Sequence, residues 1–184
     1  LALCLLVATI PAILVGSVLH MSGFDILLRD NIALIGAAMI IFGIVLWWSD
    51  RNKQSNKSIQ DWTLKEALII GLYQIIALIP GTSRSGITIT GARLLGYTRE
   101  EAVRLSVLMS IPVIIAASTL GAIDAASSAN FALLRDGAIA AFFAAISAFI
   151  ALAFMMRWLR RASFTPYVVY RIVFGAFLIL WAYN

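Results

Sequence analysis

The sequence is short of charge, of cysteine and of histidine, and each shortage excludes something. Of 184 residues only 12% are charged, where a soluble domain carries about 25%. With 62% of the residues apolar, a water-soluble core is not the economical reading. The one cysteine, Cys4, excludes a disulfide within the chain and by itself says nothing about compartment. The one histidine, His20, argues against the class of lipid phosphatases whose motifs need several. The net charge of +5 does not indicate a nucleic-acid partner. Its basic residues sit in short loops, and no basic face with stacking aromatics appears.

What the sequence does have is long apolar runs, over 1–19, 32–48, 105–123, 137–156 and 167–183. A helix that crosses the hydrocarbon core of a bilayer needs about 20 mostly apolar residues. Backbone polar groups inside lipid must be satisfied within the segment, and helices do that. The expected fold is therefore an all-α polytopic membrane protein. It should hold about five transmembrane helices and form a single membrane domain over 1–184. The chain opens at Leu1, already inside an apolar run and without a basic leader. This is expected to be a helix entered part-way through a longer protein, not a signal peptide.

Polar punctuation divides the runs. Trp47 and Trp48 close the second run as interfacial aromatics do, and 49–62 reads as a solvent loop. Thr63 with Glu66 reads as a capping box that starts a helix near Leu64. The apolar stretch Ala67–Ile79 is too short to span and ends at Pro80-Gly81-Thr82-Ser83-Arg84-Ser85-Gly86. A second short stretch, Ile87–Leu95, stops at Gly96, a helix-ending signal. Thr98 with Glu101 reads as another capping box. Ser163-Phe164-Thr165-Pro166 reads as a hydroxyl N-cap with proline near N1.

Two half-length helices around a glycine-rich polar break read as a re-entrant hairpin, about 64–97. Irregular backbone at membrane depth is tolerated only where it is buried in protein or lines a wet cavity. Charge supports this path. With 64–97 re-entrant, one face holds nine Lys/Arg and the other holds two, Arg29 and Arg135. The richer face is then cytoplasmic, and the C-terminus is extracytoplasmic.

The break carries the chemistry. Arg84 falls near mid-membrane, where an unpaired charge costs about 2.5–3.5 kcal/mol or more. Around it in sequence stand the hydroxyls of Thr82, Ser83, Ser85, Thr88 and Thr90. Gly81 and Gly86 allow tight turns and close approach of a ligand. A helix starting at about Ser85 would aim free N–H groups and its positive end at the break. Guanidinium, hydroxyls and helix N-terminus suit an oxyanion, phosphate above all. The alternative is that Arg84 pairs with backbone carbonyls or with an acid and only fixes the hairpin. Arg171 is expected to snorkel to the cytoplasmic surface, Ser110 and Pro112 to bend a helix, and Gly36, Gly43 and Gly71 to be packing contacts.

On these residues the chain resembles the undecaprenyl pyrophosphate phosphatase family, also called the bacitracin-resistance family. The match rests on Gln74 followed by Pro80-Gly81-Thr82-Ser83-Arg84-Ser85-Gly86. Leu105 to Pro112, and Ser163 to Pro166 followed by Tyr170-Arg171, agree as well. The resemblance covers the whole chain but about the C-terminal two-thirds of the family pattern.

It implies hydrolysis of a C55 polyprenyl diphosphate to the monophosphate in the bacterial cytoplasmic membrane. That step recycles the lipid carrier of peptidoglycan synthesis and underlies bacitracin resistance. It also implies Arg84 and Ser83 as catalytic residues, with Gln74, Gly81, Thr82, Ser85, Gly86 and Thr88 binding substrate. A divalent cation, Mg or Ca, is implied too, with its ligands in a Glu-x-x-x-Glu and Pro-x-Ser-Ser-x-Gly-His region that this chain does not contain. This chain itself should hold no metal site, and residues 1–184 alone should lack hydrolytic activity. The family is built from inverted repeats, and Pro80-Gly81-Thr82-Ser83 resembles the second repeat's echo of that Pro-x-Ser-Ser. A transporter or flippase for a phosphate-bearing lipid is the competing reading, because broken helices at mid-membrane are also a transporter feature. Oligomeric state is left open.

Overall fold

The structure is a computed structural model and describes residues 1–23, 28, 30–51, 56–127, 131–159 and 162–183. Arg29, Lys53, Arg160 and Arg161, which entered the charge tally, and Asn184 lie outside the described residues. Among the described residues seven α-helices follow one another: α1 (Ala2–Met21), α2 (Ile32–Asp50), α3 (Leu64–Ile76), α4 (Arg84–Leu94), α5 (Arg99–Ser127), α6 (Phe131–Leu159) and α7 (Thr165–Ala182). One 3-10 turn, Ile59–Asp61, precedes α3. All five apolar runs are helical, and α1, α2, Arg135–Trp158 in α6, and α7 are each long and apolar enough to cross a membrane.

The chain forms two compact units, Leu1–Met109 with Ser163–Asn184, and Ser110–Ala162. The second unit holds most of α5 and all of α6. From Arg135 to Phe154 its outer residues, among them Phe142, Phe143, Phe149 and Phe154, are exposed. Exposed phenylalanines at this density suit a lipid solvent.

The first unit holds the hairpin. In it α2 packs along α7 and α1 along α3, while α4 touches both α2 and α3. These crossings are close because glycine lines them. A Cβ on Gly36 would lie 2.6 Å from the Gly175 carbonyl oxygen, and one on Gly175 2.7 Å from that of Gly36. A Cβ on Gly71 would meet Ala8 O at 2.5 Å. Small residues bring helix backbones together where the hydrophobic effect between helices is absent, as in lipid. Gly36 and Gly71 are therefore packing contacts, as expected.

The local signals explain most helix ends. Asn31 caps α2 by accepting from the Leu34 N–H at 2.9 Å. Thr63 and Glu66 form the full capping box at the start of α3. Gly96 takes φ +92°, the left-handed conformation that ends α4.

Three signals work differently from the sequence reading. The Thr98 hydroxyl does accept from the Glu101 N–H at 3.3 Å, but the Glu101 carboxylate reaches Ile59 N and Arg104. Tertiary partners displace the reciprocal half of that box. The residue at the N-cap of α7 is Phe164, with no side-chain cap bond, although Ser163 Oγ accepts from Thr165 N. The loop 49–62 is also not all solvent. Ser49 and Asp50 are buried at the end of α2. Asp50 accepts from Arg99 at 2.7 and 3.0 Å and from the Phe164 N–H at 3.4 Å, with Arg93 Nε at 3.4 Å. One carboxylate thus ties the ends of α2 and α4 to the starts of α5 and α7.

At the base of the hairpin Glu66 accepts from Lys57 Nζ at 2.6 Å and from the Tyr97 hydroxyl at 2.9 Å. Burial raises the Glu66 pKa, but the bonds from Lys57, Tyr97 and Thr63 together outweigh it and hold the carboxyl below its ordinary value. Burial, and then Glu66 itself, push the Tyr97 phenol up.

Candidate functional site

The hairpin is two half-helices, α3 and α4, with residues 77–83 between them. The break is built from local rules. Turns at Gln74–Ala77 and Ile79–Thr82 close with backbone bonds of 3.1 and 3.2 Å. Gly81 sits at φ +89° against the backbone of Ile35 in α2. Ser83 takes φ +67°, the one non-glycine residue with positive φ among those described. Such a conformation costs of order 1–3 kcal/mol and persists where surroundings enforce it. Here Ser83 is the N-cap of α4, and its Oγ accepts from the Gly86 N–H at 3.2 Å. The helix starts at Arg84, one residue before the position read from sequence. The Arg84 and Ser85 amides, in its first turn, have no backbone partner among the described residues.

Arg84 is half-buried. Its Nε and Nη2 both donate to Gln74 Oε1, at 3.1 and 2.9 Å, and Nη2 also donates to the Met109 carbonyl. Carbonyls therefore fix one edge of the guanidinium, and Nη1 is left without a hydrogen-bond partner among the described residues. Gln74 is buried with Nε2 unpartnered, and Thr82 is fully buried with Oγ1 unpartnered. A buried donor or acceptor without a partner costs about 1–3 kcal/mol. Two such atoms, one in the break and one on the side chain that grips Arg84, are what a polar ligand would satisfy.

The other hydroxyls divide. Ser83 and Ser85 lie at the break, 3.3 Å apart. Thr88 is turned inward, bonding to the Arg84 and Ser85 carbonyls at 3.0 and 3.2 Å and to Ser106 Oγ at 2.8 Å. Thr90 is bonded to Gly86 O at 2.8 Å. A helical threonine readily back-bonds to a carbonyl a turn earlier, so these two buttress α4.

Arg171 does not snorkel. It is 2% exposed, and it donates to Gly81 O at 2.7 Å, Met39 O at 3.2 Å and the Tyr167 hydroxyl at 3.5 Å. A Cβ on Gly86 would lie 3.3 Å from its Nη1. Gly43 leaves it room, since a Cβ there would come 3.4 Å from that of Arg171. The guanidinium is drawn inward because the hairpin tip offers it a carbonyl deep in the protein. Neither Arg84 nor Arg171 forms an ion pair among the described residues. Two guanidinium groups and a helix N-terminus then meet at one break with no carboxylate among the described residues paired to either guanidinium. Distance in the chain kept Arg171 apart from the hairpin motif; its signals were a charge inside an apolar run and its place in the family resemblance.

Sequence comparison decides the affiliation. A profile of the family described as bacitracin resistance protein BacA matches residues 1–177. The chain belongs to this family. A BacA-family relative from Dinoroseobacter shibae, named undecaprenyl-diphosphatase, is 55% identical over 184 residues, all of this chain and 68% of the relative. One of the same name from Ruegeria pomeroyi is 54% identical with the same coverage. A third from Aliivibrio salmonicida is 42% identical over 98% of this chain and 67% of its own length. Nothing in these names supports the transporter reading.

The donor set does not fit a divalent cation. Guanidinium groups and amides repel one, and no group of three or more His, Cys, Asp or Glu that could hold a metal occurs among the described residues. The donors gathered at the break suit an anion instead.

Proposed function

We propose that this chain serves the dephosphorylation of undecaprenyl diphosphate to the monophosphate, and that the hairpin break binds the diphosphate. The observation that carries the site is Arg84. Its inner edge is pinned by Gln74 and Met109 O, its Nη1 is unpaired, and the orphaned Thr82 hydroxyl and Gln74 amide belong to the same neighbourhood.

The reaction cleaves a phosphoric anhydride. Negative charge spreads over the transferred phosphoryl group and gathers on the leaving phosphate oxygen. Arg84 Nη1 and the Arg84 and Ser85 amides supply donors at fixed positions for that charge, and the hydroxyls of Ser83 and Ser85 hold the diphosphate equally before and during the reaction. Preorganised donors cost no reorganisation during the reaction. Gly81 seats the break against α2 and Gly86 leaves room for Arg171, while Thr88 holds the first turn of α4 in place.

The hairpin base and the 56–62 loop lie on the cytoplasmic side of the bacterial inner membrane in this reading, and α7 ends outside. The nine-to-two excess of Lys and Arg supports that orientation. Product phosphate on its undecaprenyl carrier then re-enters peptidoglycan synthesis.

The test is phosphate release from undecaprenyl diphosphate. Residues 1–184 are placed in the D. shibae relative in exchange for its matching 68%. The chimera should release phosphate, and Arg84→Ala should abolish it. A chimera that moves the lipid between leaflets without releasing phosphate would favour the transporter instead.

A further inference from the structure

Tyr167 lies outside the hairpin motif, yet its hydroxyl is 3.1 Å from Ser83 Oγ. It stands at the start of α7, one turn before Arg171, whose Nη1 is 3.5 Å from the same phenol oxygen. The distances let either oxygen of the Tyr167–Ser83 pair donate; the arrangement taken up here is the one in which the phenol donates. A guanidinium has no acceptor, so Arg171 can only donate into the phenol oxygen. The phenol's own hydrogen then has one acceptor among the described residues, Ser83 Oγ. That oxygen already accepts from the Gly86 N–H at 3.2 Å. A hydroxyl oxygen has two lone pairs, and with the phenol donating both are taken. The serine's proton is what remains, with Ser85 Oγ at 3.3 Å as its neighbour in the absence of ligand.

A nucleophilic serine needs the opposite arrangement, a free lone pair and a base on its proton. With the phenol donating, Ser83 has neither among the described residues. Its hydrogen-bond partners are the Gly86 amide, Ser85, Tyr167 and, through its own carbonyl, the Ile87 amide. Its positive φ and its N-cap role fix the hydroxyl at the mouth of α4.

Resting on the reading of the break as the diphosphate site, we propose that Tyr167 is a positioning residue. Its phenol, held by Arg171, donates to Ser83 and turns the serine's proton toward a phosphate oxygen. Ser83 then binds the substrate as a hydrogen-bond donor and does not attack it. Arg171 acts at one remove, through the phenol and through Gly81 O.

Two variants test this. Tyr167→Phe keeps the ring and removes the phenol oxygen. Ser83→Gly removes the hydroxyl and suits a positive φ. A hydrogen bond to a charged group is worth about a tenfold change or more in binding. The dissociation constant of the purified 184-residue chain for inorganic pyrophosphate should therefore rise about tenfold in either variant. In the chimera, KM for undecaprenyl diphosphate should rise alike while kcat stays within about twofold. Tyr167→Phe should add nothing in a Ser83→Gly background, because the two act as one unit.

The proposal fails if kcat collapses in Tyr167→Phe at unchanged KM. It fails equally if the two effects multiply, or if a phosphoserine at position 83 is trapped during turnover. If the unchanged chain binds no pyrophosphate and the chimera releases no phosphate, the diphosphate reading itself is wrong. That result is distinct from a normal enzyme indifferent to Tyr167→Phe.

Discussion

Gly81→Ala should loosen the hairpin tip, and the structure gives the size of the effect. A Cβ at position 81 would lie 2.3 Å from the Ile35 carbonyl oxygen and 3.0 Å from Ile35 C and Cα. All three are backbone atoms of α2, so no flexible side chain can yield. The residue also sits at φ +89°, where an L side chain costs about 1–2 kcal/mol. Forcing a methyl into a packed contact adds about 1–3 kcal/mol. The sum, about 2–5 kcal/mol, corresponds to a drop in melting temperature of roughly 4–20 °C for a chain of this size. Cys4 provides the assay. It is the only cysteine and is buried on α1, its thiol 3.7 Å from Trp62 O just before the hairpin. A fluorogenic maleimide should stay dark until the unit opens. Gly137→Ala is the matched control, because nothing lies within 4 Å of a Cβ there. It should melt unchanged or slightly higher. Pyrophosphate affinity should fall with Gly81→Ala, since Gly81 O also anchors Arg171. If Gly81→Ala melts with the control and binds pyrophosphate normally, the tip is not seated on α2 and the site geometry argued above is wrong.

Asp50→Asn should cost about 3–5 kcal/mol, because it leaves two arginines against a buried neutral group; a variant melting within 1–2 °C of the unchanged chain would deny Asp50 its role at the helix ends. Glu66 has a lowered pKa, so its contribution is fully present above its ordinary value of 4.5 and is lost as pH falls through the lower folded value. Glu66→Gln should flatten that acid limb of the Cys4 melting profile, and an unaltered limb would place the titration elsewhere. For orientation, Gln60→Cys in a Cys4→Ala background should resist an impermeant maleimide applied from outside, while Tyr183→Cys should react. The reverse pattern would invert the assignment.

Much of this fold was legible because its signals are local. The five apolar runs, the Thr63–Glu66 capping box and the left-handed Gly96 all depend on residues a few positions apart, and each is found in the structure. What the sequence hid depends on distance. Asp50 read as the edge of a solvent loop, and only the fold brings Arg93, Arg99 and Phe164 N to it. Glu101 read as a reciprocal cap until the 3-10 turn supplied Ile59 N as a better partner. Arg171 read as a snorkelling side chain because its distance from the surface was counted along α7 alone. The carbonyl of Gly81, ninety residues away in sequence, is what turns it inward. Composition also overstated the hydroxyls near Arg84, since Thr88 and Thr90 spend theirs on the helix that carries them.

The central claim is that Arg84 in the hairpin break binds the diphosphate that is hydrolysed. Its most direct test is the rate of phosphate release from undecaprenyl diphosphate by three proteins: the 184-residue chain, the chimera, and the chimera with Arg84→Lys. Lysine keeps the charge but cannot bond Gln74 and a phosphate together through one planar group. Removing one preorganised donor of this kind costs about 100-fold or more in rate. The account predicts brisk release by the chimera, about 100-fold slower release with Arg84→Lys, and none by the chain alone, whose break holds donors and no carboxylate. Release by the Arg84→Lys chimera at the unchanged rate, with equal expression, would contradict it.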